Sequence, residues 1–262
     1  MNIAVCMKQV PAYHEGNMDE KTGVLIRNGL ETIVNKYDLA ALETALKIKE
    51  QLKETVKVTV FTMGPSQAEH VIKEAFAIGA DEGYLICDKA FAGADVLATS
   101  YTLMQAIDFA GHFELILCGK QTTDGDTAQV SGALAKWLNI PHINWVCRLV
   151  GADEKKAEIE YYMGNHMAAA QIEYPCLLSV ELDIFPVRMP SLKLKLKSRS
   201  KPVGMITQKD LFDTDQNNYG LLGSATRVKK IYPPKKTKRK EMKKMTGTEA
   251  ANYIQSIINA KM

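Results

Sequence analysis

From residue 3 to residue 138 the chain alternates short apolar runs with longer stretches whose apolar residues return every three or four positions. The short runs are Ile3 to Cys6, Val56 to Phe61, Tyr84 to Cys87 and Leu115 to Cys118. The longer stretches carry Leu39, Leu42 and Leu46; then Ala68, Val71, Ile72, Ala75 and Phe76; then Val96, Leu97, Leu103, Met104 and Ile107; then Val130, Leu134, Trp137 and Leu138. These are the two periods of strand and amphipathic helix. Strands alternating with helices predict an α/β fold with a parallel sheet and right-handed crossovers. Leu115 to Cys118 has no polar position, as expected of a strand covered on both faces. Such sheets bind ligands beyond the carboxyl ends of their strands.

Local signals refine this outline. Ser66 and Glu69 have capping-box spacing and predict a helix start, and Gly79 is its stop. After Pro141 the pattern changes to strands over 143–150, 156–163 and 167–182, with a turn at Gly151-Ala152-Asp153. These are expected to extend the sheet with antiparallel edges. Pro190 disfavours helix at Met189, so Arg188 to Arg199 is predicted to be an extended loop. Leu192, Leu194 and Leu196 then fall on one side and Lys193, Lys195 and Lys197 on the other, a period that an edge strand shares. A final amphipathic helix begins near Thr246, with Glu249 in capping position and Ile254, Ile257 and Ile258 on its stripe.

Composition excludes several classes. At 262 residues, 46% hydrophobic and 24% charged, the chain reads as one globular domain with extensions. It has no apolar run of about eighteen residues, so no membrane insertion is expected. Its start lacks the pattern of a signal peptide. Cys6, Cys87, Cys118, Cys147 and Cys176 form no C-x-x-C pair and read as buried thiols in a reducing, cytoplasmic compartment, with no metal site. His14, His70, His112, His142 and His166 never pair at i, i+4. No hydrolase or metalloprotease motif is present. The lack of any catalytic side-chain constellation suits a protein whose cofactor supplies the chemistry. Nine Lys or Arg residues lie between Lys229 and Lys244. A nucleic-acid-binding tail has that charge, but only Tyr232 is interleaved, and a solvated or partner-wrapping arm is the commoner reading.

The segment from Cys118 to Gln129 joins a buried strand to an amphipathic helix. The N–H groups at that helix start, aided by its dipole, form an anion site suited to a diphosphate. Gly119 and Gly125 permit close backbone approach or positive φ. Thr122, Thr123, Thr127 and Gln129 add neutral donors. Asp124 and Asp126 would repel phosphate if they faced it; one can cap the helix while the other holds a ribose or orients the loop. A plain strand–turn–helix without a ligand has the same pattern. The loop is neither a P-loop nor G-x-G-x-x-G.

Gly119-Lys120-Gln121 followed by Asp124-Gly125-Asp126-Thr127-Ala128-Gln129-Val130 resembles the signature of electron-transfer flavoprotein β subunits. Ala4 to Pro11, Asn35-Lys36-Tyr37-Asp38, Thr62-Met63-Gly64-Pro65, Ala77 to Asp81, Phe91 to Asp95 and Pro190-Ser191-Leu192 agree with the same family, so the resemblance runs from residue 2 to about 212. It implies a Rossmann-like parallel sheet of the adenine-nucleotide α-hydrolase type and a heterodimer with a larger FAD-carrying α subunit. Carried over residue by residue, it implies a nucleotide site at Ala4, Asn35, Lys36, Tyr37, Asp38, Met63, Lys120, Gln121, Thr122, Thr123, Asp124, Gly125, Asp126, Thr127, Ala128, Gln129, Val130 and Ser131.

Simple members hold AMP there as a structural ligand. Members from anaerobes hold a second FAD and split the two electrons of NADH between a strong and a weak acceptor. The Asp-Gly-Asp-Thr-Ala-Gln-Val stretch and the Phe91-to-Asp95 stretch resemble the second kind. The expectation is therefore FAD, with AMP as the alternative, NADH as donor, and an acyl-CoA dehydrogenase-like partner together with ferredoxin. Phe91 either lies against a flavin or packs in the core. The family also implies a leucine anchor for the dehydrogenase at Leu192, or at Leu194. The expected organisation is a nucleotide-binding domain over 1–185, a docking loop over 186–202, and a basic arm with a helix packing on the α subunit over 203–262. A non-redox nucleotide-binding domain of the same fold is a further alternative.

Overall fold

A computed structural model describes residues 1–12, 31–52, 56–229 and 242–260. The strands are β1 (Asn2–Cys6), β2 (Gln9–Pro11), β3 (Thr32–Val34), β4 (Lys57–Met63), β5 (Glu82–Ile86), β6 (Leu115–Gly119), β7 (His142–Ala152), β8 (Lys156–Met163), β9 (His166–Glu173), β10 (Cys176–Val180) and β11 (Gly204–Ile206). The α-helices are α1 (Lys36–Leu52), α2 (Glu69–Ile78), α3 (Val96–Ala110), α4 (Val130–Leu138), α5 (Leu192–Ser200) and α6 (Gly247–Asn259). One sheet has the order β11-β5-β4-β1-β6-β10-β7-β8-β9, and β2 and β3 form a small antiparallel pair. From β11 to β7 the neighbours are parallel; β7, β8 and β9 pair antiparallel.

Strand alternation builds two cores. Ile3, Val5, Val60, Leu115 and Leu117 pack with Leu42, Leu46, Ile72 and Phe76 of α1 and α2 on one face. Ala4, Phe61, Ile116 and Cys118 pack with Leu103, Ile107, Leu134 and Ala135 of α3 and α4 on the other. Each fully buried Leu or Ile contributes about 1.5–3 kcal/mol, so the apolar runs of β1 and β6 anchor both layers.

Three local expectations differ from the structure. Ser66 does not cap a helix: Ser66–Ala68 is a 3-10 turn, and the Glu69 N–H is taken by the Ser66 and Gln67 carbonyls, so α2 starts one turn later. Gly79 ends α2 at φ 140°, as its position suggested. The expected strand 167–182 is two strands that part at Tyr174-Pro175. β10, buried along its whole length, lies inside the sheet parallel to β6 and β7, not at an antiparallel edge.

The third difference is the predicted loop at 188–199, most of which is α5. Pro190 stays outside the helix. Ser191 caps it, its hydroxyl accepting from the Leu194 N–H at 3.1 Å, and leucine and lysine are good helix formers. Leu192 and Leu196 therefore share an exposed face four residues apart, while Leu194 turns to a half-buried position. α5 packs against α2.

Residues 204–229 stay with the α/β body. β11 pairs with β5, and the buried Tyr219 ring lies 5.5 Å from that of Phe91. Phe91 is thus a core residue. A second compact unit holds the described residues 242–260. In it, α6 opens on the expected capping box: the Glu249 carboxylate accepts from the Thr246 N–H at 2.8 Å. Its Ile254, Ile257 and Ile258 are exposed. His14 and residues 230–241 of the basic run lie outside the described residues.

Candidate functional site

β1 and β6 are neighbours, yet the chain leaves β1 towards β4 on one side and leaves β6 towards the other. This is the switch point at which an open α/β sheet forms a crevice at its strand ends. Cys6 and Gly119 stand at the mouths of the two strands. The start of α1 and the loop from Lys120 to Gln129 meet above them.

Gly119 makes that meeting possible. A Cβ at this position would collide with the Asp38 carboxylate and lie 2.6 Å from the Tyr37 carbonyl carbon. Asn35, fully buried before α1, ties the helix start to the loop: its amide donates to the Gln121 carbonyl at 2.9 Å, and its oxygen accepts from the Thr123 N–H at 3.3 Å. Asp38 accepts from the Lys8 N–H at 2.8 Å. Burial pushes the Asp38 carboxyl up to about 7, against the opposing effects of Asn35, Lys8 and the Gly119 backbone. Lys8 then reaches forward, its ammonium 2.9 and 2.8 Å from the two Asp124 oxygens. Burial would raise the Asp124 carboxyl, but Lys8 outweighs it and holds the group below its ordinary range.

The two loop carboxylates are therefore both engaged. Asp124 pairs with Lys8, and Asp126 accepts from the Gln121 amide. Of the repulsion that the sequence raised, Lys8, from beyond the loop, offsets the Asp124 charge, while the neutral Gln121 amide holds the exposed Asp126 in place. Asp126 and Ala128 have φ of 53° and 54°. Left-handed backbone at a residue such as alanine costs about 1–2 kcal/mol, a strain typical of sites that the surroundings over-determine. It aims the chain into α4, whose Gln129 cap uses no side chain. The N–H groups of Val130, Ser131 and Gly132 have no acceptor within the helix, by helix geometry. Ser131 is buried and donates to Asn144 at 3.0 Å, as does Ser179, fixing α4 to β7 and β10. Lys120 points away, 2.8 Å from Glu181 and over the Trp145 ring.

The structure thus brings together Asn35, Lys36, Tyr37 and Asp38 with Lys120, Gln121, Thr122, Thr123, Asp124, Gly125, Asp126, Thr127, Ala128, Gln129, Val130 and Ser131. Met63 sits half-buried at the end of β4. Ala4 lies mid-strand with 0% exposure, while Cys6, two residues on and on the same face, is half-buried at the mouth. Sequence reading missed Cys6, Lys8 and Asn144. Strand alternation from Ala4 could have found Cys6; Lys8 and Asn144 carry no local signal, because their partners are 116 and 13 residues away. Among the described residues no group of three or more His, Cys, Asp or Glu could hold a metal.

The pattern of the electron transfer flavoprotein domain family matches residues 22–211. An electron transfer flavoprotein subunit beta of Thermoanaerobacterium thermosaccharolyticum is 37% identical over 261 residues, covering 100% of this chain and 99% of that protein. The one from Clostridium acetobutylicum is 38% identical over 256 residues, with 98% and 97% covered. The chain belongs to the electron transfer flavoprotein β-subunit family. A further relative, the caffeyl-CoA reductase-Etf complex subunit CarD of Acetobacterium woodii, is 36% identical over 259 residues, with 99% and 97% covered. Membership of the β-subunit family implies an α-subunit partner. No described helix is long and apolar enough to cross a membrane.

Proposed function

We propose that this electron-transfer flavoprotein β subunit binds FAD in the crevice between β1 and β6, and takes part in electron bifurcation from NADH. One observation carries the reading: a loop closed over the switch point with both of its carboxylates engaged, which leaves the first turn of α4 to receive a diphosphate. The residues present fit such a group. Val130, Ser131 and Gly132 supply backbone donors, and Thr122, Thr123 and Thr127 supply hydroxyls. Cys6, in place of Ala4, forms the floor with Met63. FAD, when bound, would supply one- and two-electron transfer; the chain's own residues bind it, orient it and neutralise its surroundings.

The name of the Acetobacterium woodii relative supports a reductase of a CoA thioester as the partner enzyme. An acyl-CoA dehydrogenase-like protein fits that class, with ferredoxin as the low-potential acceptor and Leu192 on α5 as the anchor. A cytoplasmic location fits the free cysteines. The test is the nucleotide content of the heterodimer purified after co-expression with its α subunit. Two FAD per heterodimer are expected. One FAD and one AMP would move the chain to the non-bifurcating kind, and no adenine nucleotide beyond the FAD of the α subunit would overturn the site.

A further inference from the structure

Cys6, in the family-like stretch from Ala4 to Pro11, and Cys118, just before the signature loop, are direct register partners on neighbouring strands. Adjacent strands lie about 4.8 Å apart, inside the Cα separation that a disulfide spans, ~4.4–6.8 Å. Both side chains leave the sheet on the α3/α4 face, where Cys118 belongs to the core and Cys6 packs against it. Both are free thiols. Their exposures differ: Cys118 is buried and Cys6 is half-buried at the mouth of β1.

We propose that Cys6 and Cys118 form a peroxide-sensitive dithiol, oxidised to a disulfide that ties β1 to β6 across the floor of the crevice. The half-buried Cys6 is the sulfur that meets the oxidant. Its thiolate attacks a peroxide oxygen, the O–O bond breaks, and hydroxide leaves to take up the proton that Cys6 had released. Cys6 is then a sulfenic acid. The Cys118 sulfur attacks it, the S–S bond forms, the S–O bond breaks, and the Cys118 proton leaves with the oxygen as water. The balance is two thiols and one peroxide to one disulfide and two waters.

The roles follow from the surroundings. The Cys6 sulfur beside it, then burial and the nearby Asp38, hold the Cys118 thiol well above its ordinary range. Cys118 is therefore the less ready of the two to react with peroxide, which leaves it for the resolving step. Among the described strands no register pair joins Cys87, Cys147 or Cys176 to another cysteine. Cys147 contacts the Glu160 carbonyl, and Cys176 is fully buried. Gly119 follows Cys118 directly, so the new bond would lie under the closed loop. A nucleotide over the same floor would shield Cys6; that clause rests on the proposed nucleotide site, whereas the dithiol does not.

The test treats the heterodimer, stripped of releasable nucleotide, with hydrogen peroxide and maps its peptides without reductant. A linked Cys6–Cys118 peptide pair, about 2 Da lighter than the two free thiols and separated again by a dithiol reductant, is expected. Cys118→Ser should stop Cys6 at the sulfenic acid, which dimedone traps, and Cys6→Ser should leave Cys118 reduced. Recovery of Cys118 as a free thiol beside a sulfinic or sulfonic Cys6 in the unaltered protein would overturn the proposal. Added FAD at about ten times its Kd should slow the linkage about tenfold. Linkage at an unchanged rate with FAD would count against the nucleotide reading and leave the dithiol standing.

Discussion

The loop from Lys120 to Gln129 and the helix α5 are both rich in charge, and they treat it in opposite ways. In the loop Asp124 meets Lys8, Asp126 meets Gln121, and Lys120 meets Glu181. On α5, Lys193, Lys197 and Arg199 make no side-chain ion pair among the described residues, and Leu192 is 74% exposed. A segment whose charged side chains are all tied to neighbours is organised around something it encloses. One that leaves charges and leucines open is organised towards something outside. The first arrangement suits a bound nucleotide, and the second suits a protein with an acidic rim and an apolar pocket.

The largest effect belongs to Gly119. Gly119→Val should lower stability by about 3 kcal/mol or prevent folding, because its side chain would enter Tyr37 and Asp38 backbone and carboxylate atoms; urea unfolding of the heterodimer measures this. Leu192→Ala should slow electron transfer to the dehydrogenase by about tenfold at subsaturating partner, the equivalent of ~1.4 kcal/mol, with nucleotide content unchanged. Loss of nucleotide from that variant would erase the distinction between the two regions.

Asp38 couples the base of the loop to pH. Its folded pKa of about 7 stands above its ordinary value of 3.8, so the folded state holds the proton more tightly. Asp38 therefore favours folding at low pH, and that contribution is lost as pH rises from about 4 to about 7. Asp38→Asn should flatten this part of the stability-against-pH curve, and an unaltered slope would place the titrating group elsewhere. The smallest effect belongs to Lys8. Its pair with Asp124 is part-exposed, so Lys8→Met should raise the nucleotide release rate only about two- to fivefold, the equivalent of ~1 kcal/mol or less. Most of that difference should vanish in high salt.

The α/β body was legible because its signals are local. Leu115 to Cys118 has the unbroken apolar run expected of a covered strand, and Gly79 has the place of a helix stop. The loop was legible as a helix-start anion site, but the fate of its two carboxylates was not. Their partners are set by the approach of α1 to β6, which depends on the missing side chain of Gly119. α5 misled the reading because leucine and lysine at every second position satisfy a strand pattern, while the Ser191 cap that decides for helix is a single hydrogen bond. β10 was hidden for a different reason: strand order is a property of the whole sheet, and a five-residue apolar run carries none of it.

The most direct measurement compares the adenine nucleotides released from the heterodimer carrying Gly125→Val with those from the unaltered pair. Gly125 has Thr122 Oγ1 3.3 Å from where a Cβ would stand, and a branched side chain there crowds the loop against its guest. Two FAD per unaltered heterodimer, falling to one in the variant with the α-subunit flavin retained, is the predicted result. Full occupancy in Gly125→Val would contradict the placement of the site.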